Sequence, residues 1–171
     1  MPNLQDYIRT IPDFPKTGVY FKDITPLLAN PGAMAVCLEA LLQFTKGLKI
    51  DKVVGIGSRG FFFAPLLANR LGAGFIPMRK PGKLPYKTVK QPYTLEYGTD
   101  ALEIHKDAIT KNENVLLHDD VLATGGTARA ACQLIQQLGG TIVQCNFLIE
   151  LSSLNGAQKL KAHQLRSLLT Y

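Results

Sequence analysis

The chain has 171 residues, 46% of them hydrophobic, and its 19 Lys and Arg against 13 Asp and Glu give a formal charge of +6 at neutral pH. This length fills one core rather than two, so a single domain over 1–171 is expected, and the charge asks for an acidic partner. The basic residues are scattered, with their densest stretch from Arg79 to Lys90, which favours a local anion site over a nucleic-acid-binding arm.

From Met1 to Thr10 the chain carries Asp6 and Arg9 and no apolar core, so no secretory signal is expected. Leu4 to Ile11 is weakly helical. Pro12, Pro15, Gly18 and Pro26 then break the chain around the extended run Val19-Tyr20-Phe21, an irregular N-terminal cap. Apolar residues at helical spacing predict a helix from Met34 to Phe44, with Asn30-Pro31 as its start signal and Gly47 as its stop. Lys52 to Ile56 reads as a strand, Arg59 to Leu71 as a helix stopped at Gly72, and Phe75 to Met78 as a strand. The longest apolar stretch, Phe61 to Ala68, is broken by Pro65 and is too short to span a bilayer; a cytoplasmic protein without membrane contact is expected.

Arg79 to Gly98 holds three prolines and three tyrosines and reads as a long excursion, a hairpin being one form of it; loops of that length are uncommon unless functional. Val115 to His118 is a strand, Thr127 to Leu138 a helix closed by Gly139-Gly140, and Thr141 to Ile149 a strand. Alternating strands and helices predict a parallel sheet covered on both faces. Cys37, Cys132 and Cys145 are odd in number and set among apolar neighbours, so they read as reduced and buried, and no Cys/His spacing suits zinc.

The most informative run is Val115 to Thr127, where a buried strand delivers Asp119-Asp120 and the loop Ala123-Thr124-Gly125-Gly126-Thr127 opens a helix. Gly125 and Gly126 let backbone N–H groups turn toward an anion, Thr124 and Thr127 add hydroxyls, and the helix N-terminus adds its dipole. Carboxylates beside a phosphate cradle would repel its ligand unless hydroxyls or a cation lay between them. A sugar phosphate satisfies that condition. A second run, Gly55-Ile56-Gly57-Ser58-Arg59-Gly60, matches the dinucleotide pattern, but no acidic residue follows about twenty positions on, where Arg79-Lys80 stand instead.

The run from Val115 to Thr127 resembles the phosphoribosyl-pyrophosphate signature of the type I phosphoribosyltransferases. Three further stretches resemble the adenine phosphoribosyltransferases among them: Ser58-Arg59-Gly60-Phe61, the hood-like Gly18 to Leu28, and the lid-like Arg79 to Pro85 with Tyr93 to Gly98. The resemblance implies an α/β fold, a mostly parallel five-stranded sheet flanked by helices, with a small N-terminal hood and the C-terminal tail as a candidate second part of it. It implies transfer of a 5-phosphoribosyl group from 5-phosphoribosyl-1-pyrophosphate to adenine, giving AMP and pyrophosphate, with Mg2+ held mainly through substrate, in a homodimer.

By the same resemblance Asp119 and Asp120 hold the ribose hydroxyls, and Ala123, Thr124, Gly125, Gly126 and Thr127 the 5′-phosphate. Arg59, Arg79, Lys80 and Lys83 face pyrophosphate, Tyr20, Phe21 and Lys22 recognise adenine, and Glu96 handles the proton. Glu103 and His105 are assigned structural roles. The chain departs from its relatives at His118, usually aliphatic, at Gly57, often acidic, and at Lys22, commonly arginine. Three other readings stay open: a hypoxanthine-guanine or xanthine transferase, a nucleic-acid-binding regulator on the same fold, and an NADP-dependent oxidoreductase.

Overall fold

The computed structural model describes residues 2–95 and 98–171, so Glu96 lies outside the described residues. The chain forms two compact units, Met1–Gln43 and Phe44–Tyr171.

In the first unit the expected helix over Leu4 to Ile11 is replaced by a 3-10 turn at Leu4–Tyr7 and a strand, β1 (Arg9–Ile11), paired antiparallel with β2 (Phe21–Asp23). Pairing satisfies the backbone of a stretch too short for a stable helix. An ion pair fixes it, Arg9 Nη2 lying 2.9 Å from Asp23 Oδ2. Backbone donation from Thr25 and the Arg9 charge hold the Asp23 carboxyl below its ordinary range against the effect of burial. Helix α1 (Thr25–Ala29) follows, then α2 (Pro31–Gln43), where Asn30 Oδ1 accepts from the Ala33 amide at 2.9 Å. Ala33, Cys37 and Leu41, one turn apart, form its buried stripe.

The second unit runs β3 (Lys52–Ile56), α3 (Ala64–Leu71), β4 (Gly74–Met78), β5 (Thr88–Thr94), β6 (Thr99–His105), β7 (Asn114–Leu122), α4 (Gly126–Gln137), β8 (Thr141–Glu150) and β9 (Leu165–Thr170). Five strands make one sheet in the order β4-β3-β7-β8-β9, every pairing parallel. The central strand β7 is buried on both faces over Val115, Leu116 and Leu117, which is why that part of it reads as an unbroken apolar run. Leu117, Phe147, Ala131, Leu134 and Ile135 form the core between the sheet and α4, and Leu102 and Ile104 of β6 join it.

Several boundaries differ from expectation, α2 beginning at Pro31 rather than Met34. The helix expected over Arg59 to Leu71 is split into a 3-10 turn at Arg59–Phe62 and α3, because Pro65, lacking an N–H, is suited to a first turn and not to an interior. The C-terminal residues belong to the central sheet as β9, not to a hood. β7 continues past His118 through both aspartates to Leu122. The three cysteines are free and buried, Cys132 Sγ and Cys145 Sγ lying 3.8 Å apart. Among the described residues no helix is long and apolar enough to cross a membrane.

Candidate active site

The carboxyl end of β7 and the turn into α4 build the first half of the site. Asp119 is in register with Phe147 of β8, so the dyad is held by the sheet itself, and the loop from Ala123 turns back at Gly125. Gly125 has φ +77°, and a Cβ there would lie 2.5 Å from the Gly156 carbonyl oxygen; the turn therefore admits no side chain. α4 starts on this glycine with no side-chain cap and no acidic residue in its first turn. The start of α4 borders a hollow of about 80 Å³ lined by Asp119, Ala123, Thr124, Gly125 and Thr127. The geometry is that of an anion cradle.

A second hollow of about 220 Å³ joins this loop to the β3 loop and the hairpin, with Gly57, Arg59, Lys80, Tyr93, Asp119, Asp120 and Thr127 in its wall. Arg59 Nη2 pairs with Asp120 Oδ2 at 2.5 Å, and Asp119 Oδ1 accepts from the Asp120 amide at 2.9 Å. Burial pushes both carboxyls up, and the Asp120 charge pushes Asp119 further; Arg59 opposes the rise, more strongly at Asp120. The dyad is thus held short of the counter-charge and hydroxyl donors that would settle both negative charges.

The run Gly55 to Gly60 uses its glycines for close approach rather than for a dinucleotide. A Cβ on Gly57 would lie 2.5 Å from the Phe61 ring, and one on Gly60 would lie 3.0 Å from Asp119 Oδ1. A side chain at the first of these positions would press on the end of the Phe61 ring. The Gly57–Ser58 peptide is cis. Phe61 in turn supports Arg79, whose guanidinium carbon lies 5.8 Å from the ring centre.

The remaining sequence-derived cations divide. Lys80 reaches the hollow while bonded to Asp100 Oδ2 at 2.8 Å; Arg79 and Lys83 are outside its lining, and Lys83 is exposed. Glu103 exchanges backbone bonds with Arg79 at 3.0 and 2.7 Å and accepts from the Gly82 amide at 3.1 Å, while His105 Nε2 accepts from the Tyr86 amide at 3.4 Å. Both tie the segment after β4 to β6.

Sequence reasoning missed Tyr93 and Asp100. They are cross-strand partners in the β5–β6 hairpin, and only that register, which no motif announces, brings them together. His118 is fully buried outside both hollows, its Nδ1 2.7 Å from Asn146 Oδ1; burial depresses its pKa to about 4, so it is a packed, neutral histidine. In the first unit Tyr20 is 66% exposed, Phe14 meets Phe21 edge-on at 5.1 Å, and Lys22 Nζ donates to Thr10 Oγ1 at 2.9 Å.

Residues 24–165 match the phosphoribosyl transferase domain family. The chain is 62% identical to the adenine phosphoribosyltransferase of Christiangramia forsetii over 168 residues, 98% of each protein, and 60% identical to that of Flavobacterium johnsoniae, over 98% of this chain and 99% of the other. The crystal structure of the Thermoanaerobacter pseudethanolicus enzyme superposes with a TM-score of 0.96 at 48% identity, covering 98% of each chain. The Trypanosoma brucei enzyme, solved with AMP, pyrophosphate and ribose-5-phosphate, gives 0.89 at 27% identity over 98% of this chain and 77% of that one. With a carboxylate dyad, a glycine-turned anion cradle and a basic β3 loop around one hollow, and relatives of this closeness along its whole length, the chain belongs to the adenine phosphoribosyltransferases of the type I phosphoribosyltransferase family.

Proposed function

We propose that 1–171 acts as one phosphoribosyltransferase domain that moves the 5-phosphoribosyl group of 5-phosphoribosyl-1-pyrophosphate onto adenine, releasing AMP and pyrophosphate. The observation that carries this reading is the shared hollow in which Asp119, Asp120, Thr127, Arg59 and Lys80 meet, since one ligand with hydroxyls between two anionic groups answers all of them. The loop from Ala123 through Thr124, Gly125 and Gly126 to Thr127 takes the 5′-phosphate. Asp119 and Asp120 accept charge-assisted bonds from the ribose hydroxyls. Their charge also favours positive character at C1 as the glycosidic bond to pyrophosphate lengthens.

Arg59 and Lys80, with Arg79 and Lys83, neutralise the departing pyrophosphate. Tyr20, Phe21 and Lys22 receive adenine, Phe21 by stacking and its neighbours through backbone groups. Glu96 manages the proton at N7. The donor set fits Mg2+: the dyad lines the hollow, and this hard cation is commonly bound through one or two carboxylates plus substrate oxygens and water. When bound, the ion supplies Lewis-acid neutralisation of the leaving pyrophosphate. The ligands of the Trypanosoma brucei enzyme are of this class, and by family resemblance the working form is a homodimer.

Incubation of the purified protein with the donor, magnesium and radiolabelled adenine, hypoxanthine or guanine tests the reading. AMP from adenine is expected, with kcat/KM for the other bases lower by orders of magnitude; comparable use of hypoxanthine would remove the adenine assignment. In the same assay Glu96→Gln should lower turnover about a hundredfold to ten-thousandfold, the usual contribution of a positioned acid or base.

A further inference from the structure

Lys80 is not simply a cation waiting for an anion. Its ammonium lies 2.8 Å from Asp100 Oδ2, with 64% of its side chain exposed and 21% of the Asp100 side chain. The opposite carboxylate oxygen, Asp100 Oδ1, accepts from the Ala101 amide at 2.8 Å, so the acid is fixed to the hairpin backbone. Asp100 is the cross-strand partner of Tyr93. Tyr93 and Thr127 line the same hollow as Lys80. The carboxylate that holds the pyrophosphate-side cation thus stands on the hairpin whose other strand borders the hollow.

We propose that Asp100 is a resident competitor for pyrophosphate: it holds Lys80 over the hollow, yields it when pyrophosphate or the donor enters, and reclaims it as the product leaves. The inference rests on the reading of the hollow given under Proposed function. The pair titrates as such an arrangement requires, bonding to Asp100 raising Lys80 and bonding to Lys80 lowering Asp100, so both stay charged through neutral pH. An exposed ion pair is weak, and a multiply charged anion displaces it readily. Asp100 thus limits how tightly pyrophosphate is held and speeds its release.

Calorimetric titration with inorganic pyrophosphate and magnesium is the test, on wild type, Asp100→Asn, Asp100→Glu, Lys80→Gln and Asp100→Asn with Lys80→Gln. Asp100→Asn, which keeps an acceptor for the Ala101 amide, should bind pyrophosphate roughly fivefold more tightly, the equilibrium equivalent of losing one exposed pair. Its dissociation rate should fall by a similar factor. Asp100→Glu should return to the wild-type value, and in the Lys80→Gln background removal of the Asp100 charge should change little. Unchanged or weaker binding in Asp100→Asn overturns the inference, as does an equal gain without Lys80 or no binding by any of the proteins. Failure of the wild type to make AMP from adenine, with the titrations as expected, would overturn only the assignment of the reaction.

Discussion

At Asp119 and Asp120 the fold sets two adjacent carboxylates in a place where burial opposes their charge, and only ligand hydroxyls and cations relieve them. Burial first, and the Asp120 charge second, push the Asp119 carboxyl well above 3.8. The folded state therefore binds this proton more tightly than the unfolded chain does. The stability it contributes is full below the unfolded value and is lost as pH rises through the folded one. Asp119→Asn keeps the oxygen that accepts from the Asp120 amide but has no proton to lose. It should unfold at a higher temperature than wild type at pH 7, with the gain vanishing as pH falls toward 3.8. Donor binding should be lost. Buried His118 acts with the opposite sign: its pKa is depressed from 6.5 to about 4, so its contribution disappears as pH falls across that interval. The difference between variant and wild-type melting curves, taken from pH 3 to 8, isolates the carboxylate; parallel curves would show that Asp119 carries no burial penalty.

The elements best marked in the sequence were those buried on both faces or closed by a clear stop. β3 is a short apolar run, α4 ends before Gly139-Gly140, and the anion cradle was visible because a strand, two acids and a Thr-Gly-Gly-Thr loop stand together. β9 was invisible as a strand because Arg166 and Ser167 interrupt its apolar residues, and only pairing with β8 defines it. The Lys80–Asp100–Tyr93 link was likewise illegible, since it depends on hairpin register. The cradle makes a sharp demand that separates two kinds of glycine cost. Gly82 and Gly125 share a left-handed backbone, φ +76° and +77°, but a Cβ at Gly82 meets nothing within 4 Å whereas one at Gly125 meets the Gly156 carbonyl. Gly82→Ala should cost about 1 kcal/mol, the conformational strain alone. Gly125→Ala should cost at least about twice that in urea unfolding and should abolish binding of the 5′-phosphate, because the backbone of the turn has to shift. Equal midpoints for the two variants would refute the close approach.

For the molecule as a whole, a charge of +6 is compatible with nucleic acid, an anionic surface or a phosphorylated metabolite, and the fold decides among them by where it puts cations. Arg59 and Lys80 line one hollow beside an anion cradle, which suits a small anion. A ligand that binds the folded state alone raises the unfolding temperature by an amount set by its concentration over its Kd. At a hundredfold excess this is about 2.7 kcal/mol, or roughly 5–10 °C for a chain of this size. AMP should give that shift, and NADP at equal concentration much less; a larger NADP shift would return the Gly55 to Gly60 run to the dinucleotide reading. Ribose 5-phosphate separates the contributions further. It carries everything that the cradle and the dyad are proposed to recognise and lacks the base, so the excess shift given by AMP reports adenine recognition alone. Phe21→Ala should erase most of that excess while leaving the ribose 5-phosphate shift intact, because Phe21 belongs to the N-terminal unit and the cradle to the other. If AMP kept its full advantage in Phe21→Ala, adenine would be recognised elsewhere, and Tyr20 to Lys22 would be packing residues of the β1–β2 pair.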